Sequence, residues 1–270
     1  MNRLNVWELF KLDSKVGVIT GGARNLGFDM ALALAEAGAD VAITSRTLVN
    51  AQNSAEEIKE ATGRTVLPVQ CDVRYEDQVE SMVADVFEKF GKIDILINNA
   101  GNVTSTPENA AFEKRPLQLW QETIDINLTG VFLCSKHITA KAMKPARSGS
   151  IINIASVTGL VGKDRRVYEG TKMGGATLDY HAAKGALITM TKDMAVYLAP
   201  FGIRVNCISP GGFWRNQPEK FVKAYEKLIP MGRMGQDGKE MKGAAVFFAS
   251  EASSYATGAN LVIDGGLTAW

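Results

Sequence analysis

The chain alternates between two kinds of segment almost from end to end, and this alternation limits its fold more than any other feature. Val16-Gly17-Val18-Ile19-Thr20, Val41 to Thr44, Val66 to Val69, Ile93 to Ile97, Ser150 to Ile154, Ile203 to Ile208 and Leu261 to Ile263 are short runs, largely apolar at successive positions. Between them lie stretches of helical length and pattern: Asn25 to Ala37, Asn50 to Ala61, Tyr75 to Phe90, Trp120 to Lys144, Leu178 to Leu198 and Lys239 to Ala249. A strand with one face in water alternates apolar with polar residues. Runs apolar on both faces predict strands covered by helices on both sides.

The expected fold class is therefore α/β, a single doubly wound parallel seven-stranded sheet of the Rossmann type with helices on both faces. In such a sheet the ligand crevice lies outside the carboxyl ends of the strands. No shift in composition marks a linker, so residues 1–270 read as one domain. Two irregular stretches break the rhythm, Leu160 to Ala176 and Gly211 to Gly238, and both follow strand ends on the ligand side. They are read as an insertion at the mouth of the site and a substrate flap.

Charge narrows the partners. Thirty Lys and Arg against 29 Asp and Glu leave a formal net charge of +1, which argues against a nucleic-acid footprint. No run reaches the length of a membrane helix, and Met1 to Lys15 is too charged for a signal-peptide core. Cys71, Cys134 and Cys207 are far apart and odd in number, against both a disulfide framework and a clustered zinc site. The expectation is a cytoplasmic protein with a small-molecule partner and neither nucleic acid nor membrane.

Thr20-Gly21-Gly22-Ala23-Arg24-Asn25-Leu26-Gly27 joins the first strand to the first helix. Glycines there let a pyrophosphate approach the backbone, and the helix N-terminus favours its negative charge. Gly21, Arg24, Asn25 and Leu26 are thus candidate cofactor residues. Asn25 can serve in such a turn because asparagine tolerates a left-handed backbone. At the end of the second strand an NAD site calls for a carboxylate, whereas this chain has Ser45 followed by Arg46. A guanidinium pairs with a 2′-phosphate, so NADP is favoured, with NAD still possible.

Reducing a carbonyl requires a hydride and a proton for the forming alkoxide. Tyr180 and Lys184 are four residues apart at the start of a long helical pattern, hence on one face. An ammonium there favours the phenolate and makes the tyrosine a usable acid/base. Ser156, at a strand end, would hydrogen-bond the substrate oxygen.

In sum the chain resembles the classical short-chain dehydrogenase/reductase family over nearly its whole length. The resemblance is carried by Thr20-Gly21…Gly27, Cys71-Asp72-Val73, Asn98-Asn99-Ala100-Gly101, Asp125-Ile126-Asn127-Leu128, Ser156, Tyr180-His181-Ala182-Ala183-Lys184, Arg204-Val205-Asn206 and Pro210-Gly211. It implies that Asp72 and Val73 meet the adenine, that Asn99, Ala100, Gly101, Pro210 and Gly211 back the cofactor, and that Lys184 also holds the nicotinamide ribose. It further implies that Asn127 holds a water of a proton relay, and that the protein is a homotetramer through the Trp120 to Lys144 and Leu178 to Leu198 helices and through the C-terminal edge. The segments Ile229 to Arg233 and Asp264 to Trp270 look like those of members acting on sugar acids and polyols, gluconate 5-dehydrogenases among them.

A second copy of the spacing, Tyr168-Glu169-Gly170-Thr171-Lys172, lies nearer Ser156. Met173-Gly174-Gly175 follows at once, so a helix that aligns this pair is disfavoured and Tyr180 is preferred. Two other functions remain open. A 3-oxoacyl thioester reductase would need a basic landing patch for its carrier, which Lys163, Arg165 and Arg166 could supply. A non-catalytic NADP sensor would have no need of the Asn127, Ser156, Tyr180 and Lys184 set. His137 and His181 lack metal-ligand spacing and read as core or surface residues, Asp94 as structural. Phe213-Trp214 either lines the pocket or packs the flap.

Overall fold

All seven expected strands form and pair in parallel in the order β3-β2-β1-β4-β5-β6-β7. They are β1 (Val16–Ile19), β2 (Asp40–Ser45), β3 (Val66–Gln70), β4 (Ile95–Asn98), β5 (Gly149–Ile154), β6 (Ile203–Pro210) and β7 (Asn260–Ile263). The computed structural model describes residues 5–103 and 105–270, so residues 1–4 of the N-terminal segment lie outside it. Strand order runs outward from β1 to β3 and then reverses to β4 on the other side. That reversal opens a crevice above β1 and β4.

Apolar residues on both faces of each strand explain the two cores. Ile95 and Ile97 of β4 and Ile152 and Ile154 of β5 point into one core, with α2 (Asn25–Glu36), α3 (Leu48–Thr62) and α10 (Lys242–Ala249). Leu96 and Ile151, one residue out of phase, point into the other, with α4 (Glu76–Phe90), α6 (Gly130–Ile138) and α8 (Leu178–Leu198). This is the period of two expected of a strand. Pro68 lies in β3, an edge strand where its missing N–H is tolerated.

Differences from the sequence reading fall where helices carry irregular turns. The stretch read as one helix from Trp120 to Lys144 is a continuous run of α5 (Leu117–Ile124), α6 and α7 (Lys144–Ala146), joined by π turns at Asp125–Thr129 and Thr139–Met143. Each π turn inserts one residue without changing apolarity, so periodicity does not register it. The helix expected from Lys239 begins at Lys242, because Gln236 to Met241 form turns after Gly235. Gly211 to Gly238 contains an unexpected helix, α9 (Glu219–Glu226), and a short helix α1 (Val6–Leu9) precedes β1. Asp94 sits just before β4, where its carboxylate accepts the Val16 N–H at 2.9 Å, a structural role as expected. Among the described residues no helix is long and apolar enough to cross a membrane.

Candidate active site

Between the glycine-rich turn and the start of α8 lies a cleft of about 340 Å³. Its outer wall is the turn itself, with Gly21, Arg24, Asn25 and Leu26 lining it. Asn25 adopts φ 51, the left-handed backbone anticipated for it. The turn is held from below. Asn99 Nδ2 donates to the carbonyls of Thr20 and Gly21 at 3.0 and 3.1 Å, and the Gly21 N–H donates to Thr44 Oγ1 at 3.2 Å. Gly27 fits so closely against Gly21 and the Asn99 side chain that a Cβ there would overlap both. Such packing brings α2 and its N-terminal amides up to the cleft.

Ser45 and Arg46 line the cleft at the end of β2, and the exposed Arg46 side chain faces solvent. Thr47, next to Arg46, and Asn50, one helical turn beyond it, line it too, and closeness to Arg46 along the chain is the sequence signal that points to them. Asp72 and Val73 form the adjoining wall. Burial opposes its ionisation, but Arg74 hydrogen bonds hold the Asp72 carboxyl below the usual carboxylate range; Arg74 Nη2 donates at 2.6 Å. Ala100 and Gly101 continue the floor, and Pro210 closes the far side. Gly211 departs from expectation by lining a neighbouring cavity with Phe213 rather than this cleft. The turn of chain after Pro210 carries it behind the wall, where a Cβ on Gly211 would lie 2.9 Å from Asp264 Cα. Phe213 is buried and Trp214 half exposed, so the pair divides between packing and surface. Arg215, from the same flap, does line the cleft and pairs with Asp237 at 2.7 Å, a long-range placement that no local pattern announces.

Tyr180 and Lys184 close the inner end of the cleft. They lie on the first turns of α8, as the i,i+4 spacing requires, and Lys184 Nζ is 5.5 Å from the Tyr180 ring centroid. Lys184 donates to the Ile154 carbonyl at 2.7 Å. Ser156, just after β5, is buried, and its Oγ accepts the Thr158 N–H at 3.2 Å. Asn127 stands on the first π turn, fully buried, behind Gly101. Its Nδ2 donates to the carbonyls of Asn102 and Thr123 at 2.8 and 2.9 Å, and its Oδ1 has no partner among the described residues. A Cβ on Gly101 would stand 2.8 Å from that Oδ1 and 3.7 Å from Lys184 Nζ, so the two groups face a common point.

The electrostatics differ from the sequence expectation in one respect. Burial pushes the Tyr180 phenol above its ordinary value, and the Ser156 side chain opposes this only in part. Burial likewise lowers the Lys184 ammonium to about 8. Desolvation thus opposes both charges, and the lysine does not by itself make the phenol acidic.

The second tyrosine–lysine pair is not aligned. Arg165–Tyr168 is a short 3-10 turn, and bends follow it through Gly175. Tyr168 packs at a tilt against Phe221, with ring centroids 5.1 Å apart, and Lys172 is exposed. His181 Nδ1 lies 2.8 Å from the Thr177 carbonyl, within its own helix. His137 lies 2.8 Å from Glu76 and 3.6 Å from Glu80, a surface ion-pair cluster that also takes Lys136 and that sequence spacing does not show.

Comparison with known proteins bears on this arrangement. The family model described as enoyl-(acyl carrier protein) reductase matches residues 21–268. The 2-dehydro-3-deoxy-D-gluconate 5-dehydrogenase of Pseudoalteromonas atlantica is 36% identical over 96% of this chain and 98% of its own. The 3-oxoacyl-[acyl-carrier-protein] reductase of Synechocystis sp. is 34% identical over 95% of this chain and 98% of its own. Among solved structures, a gluconate 5-dehydrogenase from Burkholderia cenocepacia J2315 in complex with NADP and tartrate aligns with a TM-score of 0.87 at 32% identity, over 98% of this chain and 100% of that one.

Proposed function

This chain belongs to the short-chain dehydrogenase/reductase family, and from that premise we propose that it is an NADP-preferring oxidoreductase interconverting a carbonyl and a secondary alcohol on a compact sugar acid or polyol. The observation that carries the reading is Tyr180, one helical turn from Lys184 and at the inner end of a cleft whose outer end is the glycine-rich turn.

The residues suit a dinucleotide. The close Gly27 packing brings helix amides to the pyrophosphate position, and Arg46, Arg24, Thr47 and Asn50 offer cations and donors where a 2′-phosphate would lie. Asp72, Val73, Asn99, Ala100, Gly101 and Pro210 would flank the rest of it. Bound there, the nicotinamide supplies or accepts the hydride. Tyr180 then passes its phenolic proton to the substrate oxygen during reduction and takes it back during oxidation. Ser156, whose Oγ accepts the Thr158 N–H, would turn its own proton onto that oxygen. Lys184 has donors beyond the one bound to Ile154, which would hold the nicotinamide ribose. A water between Asn127 Oδ1 and Lys184 would link the pair to solvent. The insertion at 160–176 and the flap at 211–238 would bound the substrate chamber.

Charge placement weighs against carrier-bound thioesters. Lys163 is turned inward onto the Gly174 and Ala176 carbonyls, and Arg166 is paired with Asp164 at 2.7 Å, so two members of the basic patch are engaged. A sensor role has no use for the Ser156–Tyr180–Lys184 geometry. The half-exposed Phe132 and the exposed Val196 and Tyr197 on the two long helices, with Trp270 at the C-terminus, support a homotetramer, and three free, buried cysteines support a cytoplasmic location. The deciding experiment is a panel of keto-acids, ketoses and polyols assayed with NADPH and NADH side by side. Turnover of a compact substrate, faster with NADPH, is expected. Tight NADPH binding with no carbonyl reduced would favour the sensor, and a preference for NADH would remove the role given to Arg46.

A further inference from the structure

The segment between Ser156 and Tyr180 does more than lengthen a loop. It leaves the end of β5 through the short turn Val157–Gly159 and returns to α8 at Thr177, so its two ends are the two groups assigned to the substrate oxygen. On one side it meets the chain that follows β4. Gly174 lies so close to Ser105 and Thr106 that a Cβ there would overlap the Ser105 hydroxyl and sit 2.5 Å from the Thr106 carbonyl oxygen. On the other side it meets the flap that follows β6. Tyr168 packs 5.1 Å from Phe221, and Phe221 stacks 5.4 Å from Tyr225. Val167, Phe221 and Met234 are buried together there as a small core separate from those of the sheet. The Tyr225 hydroxyl accepts the Gly212 N–H at 3.0 Å, which ties this core to the chain just beyond Pro210. Within the insertion, Lys163 Nζ donates to the Ala176 carbonyl at 2.9 Å and lies 4.1 Å over the Tyr168 ring.

β4, β5 and β6 are neighbours in the sheet, so a segment rooted on β5 bridges the chain that leaves both of its neighbours. We propose that the insertion is a fixed roof over the substrate chamber, pinned by Tyr168, and that it sets specificity: compact hydroxy and oxo compounds are admitted, and acyl chains tethered to a carrier protein are barred. This rests on the oxidoreductase reading above and names the substrate class of that same site. The physical reason is reach. A tethered substrate must keep a covalent arm running out of the chamber while its keto group sits at Tyr180, and a roof joined to both walls closes that path. Tyr168 is the pin because its ring is shared between Lys163 inside the insertion and Phe221 on the flap, so its loss detaches the roof on one side. This also gives the second Tyr-x-x-x-Lys sequence a structural use for its tyrosine.

The test uses the full chain with NADPH and two 3-oxo substrates, a short ester and a 3-oxoacyl thioester on acyl-carrier protein, with amide hydrogen exchange over residues 160–176. Wild type is expected to favour the short ester by about a hundredfold in kcat/KM. Tyr168→Ala should narrow that ratio by about tenfold, with faster exchange in the insertion, and Tyr168→Phe should retain both properties. Should Tyr168→Ala fail to fold, Phe221→Ala removes the same contact. Equal use of the two substrates by wild type overturns the proposal. So does an unchanged ratio once exchange shows the insertion released, and so does exchange in wild type as fast as in the variant. If wild type reduces no carbonyl at all, the oxidoreductase reading fails, and the exchange comparison alone still decides whether the segment is fixed.

Discussion

Tyr180 and Tyr168 each stand four residues before a lysine, and the backbone beneath them makes them different chemical objects. Tyr180 begins a 21-residue helix. Its neighbour Asp179 is fully buried and paired with Arg115 at 2.5 Å, and Arg115 also donates to Thr123, whose carbonyl accepts from Asn127. Polar contacts therefore hold Tyr180 and Asn127 in register across two helices. Tyr168 ends a four-residue turn, and burial against aromatic neighbours pushes its phenol up to about 12. Spacing carries catalytic meaning only when a helix turns it into a shared face, and a helix that starts at an active site needs an anchor of its own.

The largest effect expected from this contrast is on turnover. Tyr180→Phe keeps the ring and removes the proton, so kcat should fall by about 10²–10⁴-fold, while the Kd for NADPH stays within about twofold of wild type. Tyr168→Phe should alter kcat by less than about threefold, since its ring contacts remain. Steady-state rates on any compact substrate from the panel would check this, and a collapse in the Tyr168 variant alone would exchange the two roles.

Next in size is the anchor. Arg115→Met would strand the Asp179 carboxylate in a buried site, and a loss of about 3–5 kcal/mol in urea unfolding is expected. Arg115→Met combined with Asp179→Leu should recover most of it, because the desolvated charge is then gone as well. If the single variant unfolds like wild type, the pair is not what holds the start of α8.

A smaller, pH-dependent effect distinguishes Lys184. Lys184 titrates at about 8 when folded against 10.5 as the ordinary value, because burial disfavours its charge. Below pH 8 both folded and unfolded chains carry the proton and the full penalty is present. Between about 8 and 10.5 only the unfolded chain still binds it, so the stability of wild type rises with pH there. Relative to Lys184→Met, wild type should gain on the order of 2–3 kcal/mol between pH 7 and pH 10.5. Parallel unfolding curves across that range would show instead that Lys184 is well solvated.

Much of this could be read in the sequence, for identifiable reasons. Ile95 to Ile97 and Ile151 to Ile154 are apolar on both faces because each face meets a helix layer, so the sheet is written locally. The glycine-rich turn and the Tyr180–Lys184 pair are local as well. What escaped was long-range or register-neutral. Arg115 and Asp179 are 64 residues apart, Arg215 reaches the cleft from the flap, and Tyr168 finds Phe221 only after both loops have folded. The π turn under Asn127 adds a residue that apolarity does not mark. The raised Tyr180 phenol follows from burial, which spacing alone does not reveal.

The smallest effect applies the same distinction between side chain and backbone to the glycine-rich turn. Asn25 holds φ 51 at the start of α2, and it lines the cleft. For most residues that conformation costs about 1–2 kcal/mol, for asparagine less, and for glycine almost nothing. Asn25→Ala should therefore lose about 1 kcal/mol of stability and weaken NADPH and NADH alike, since the strained turn relaxes beneath the pyrophosphate shared by both. Asn25→Gly should stay within a few tenths of a kcal/mol of wild type, the easier backbone offsetting a more flexible unfolded chain. Titrating cofactor fluorescence with the two variants separates the causes. If glycine restores binding, the turn needs only the left-handed backbone. If glycine and alanine weaken binding equally, the Asn25 amide itself contacts the dinucleotide, and the turn, like the two tyrosines, owes its function to a side chain that its backbone has placed.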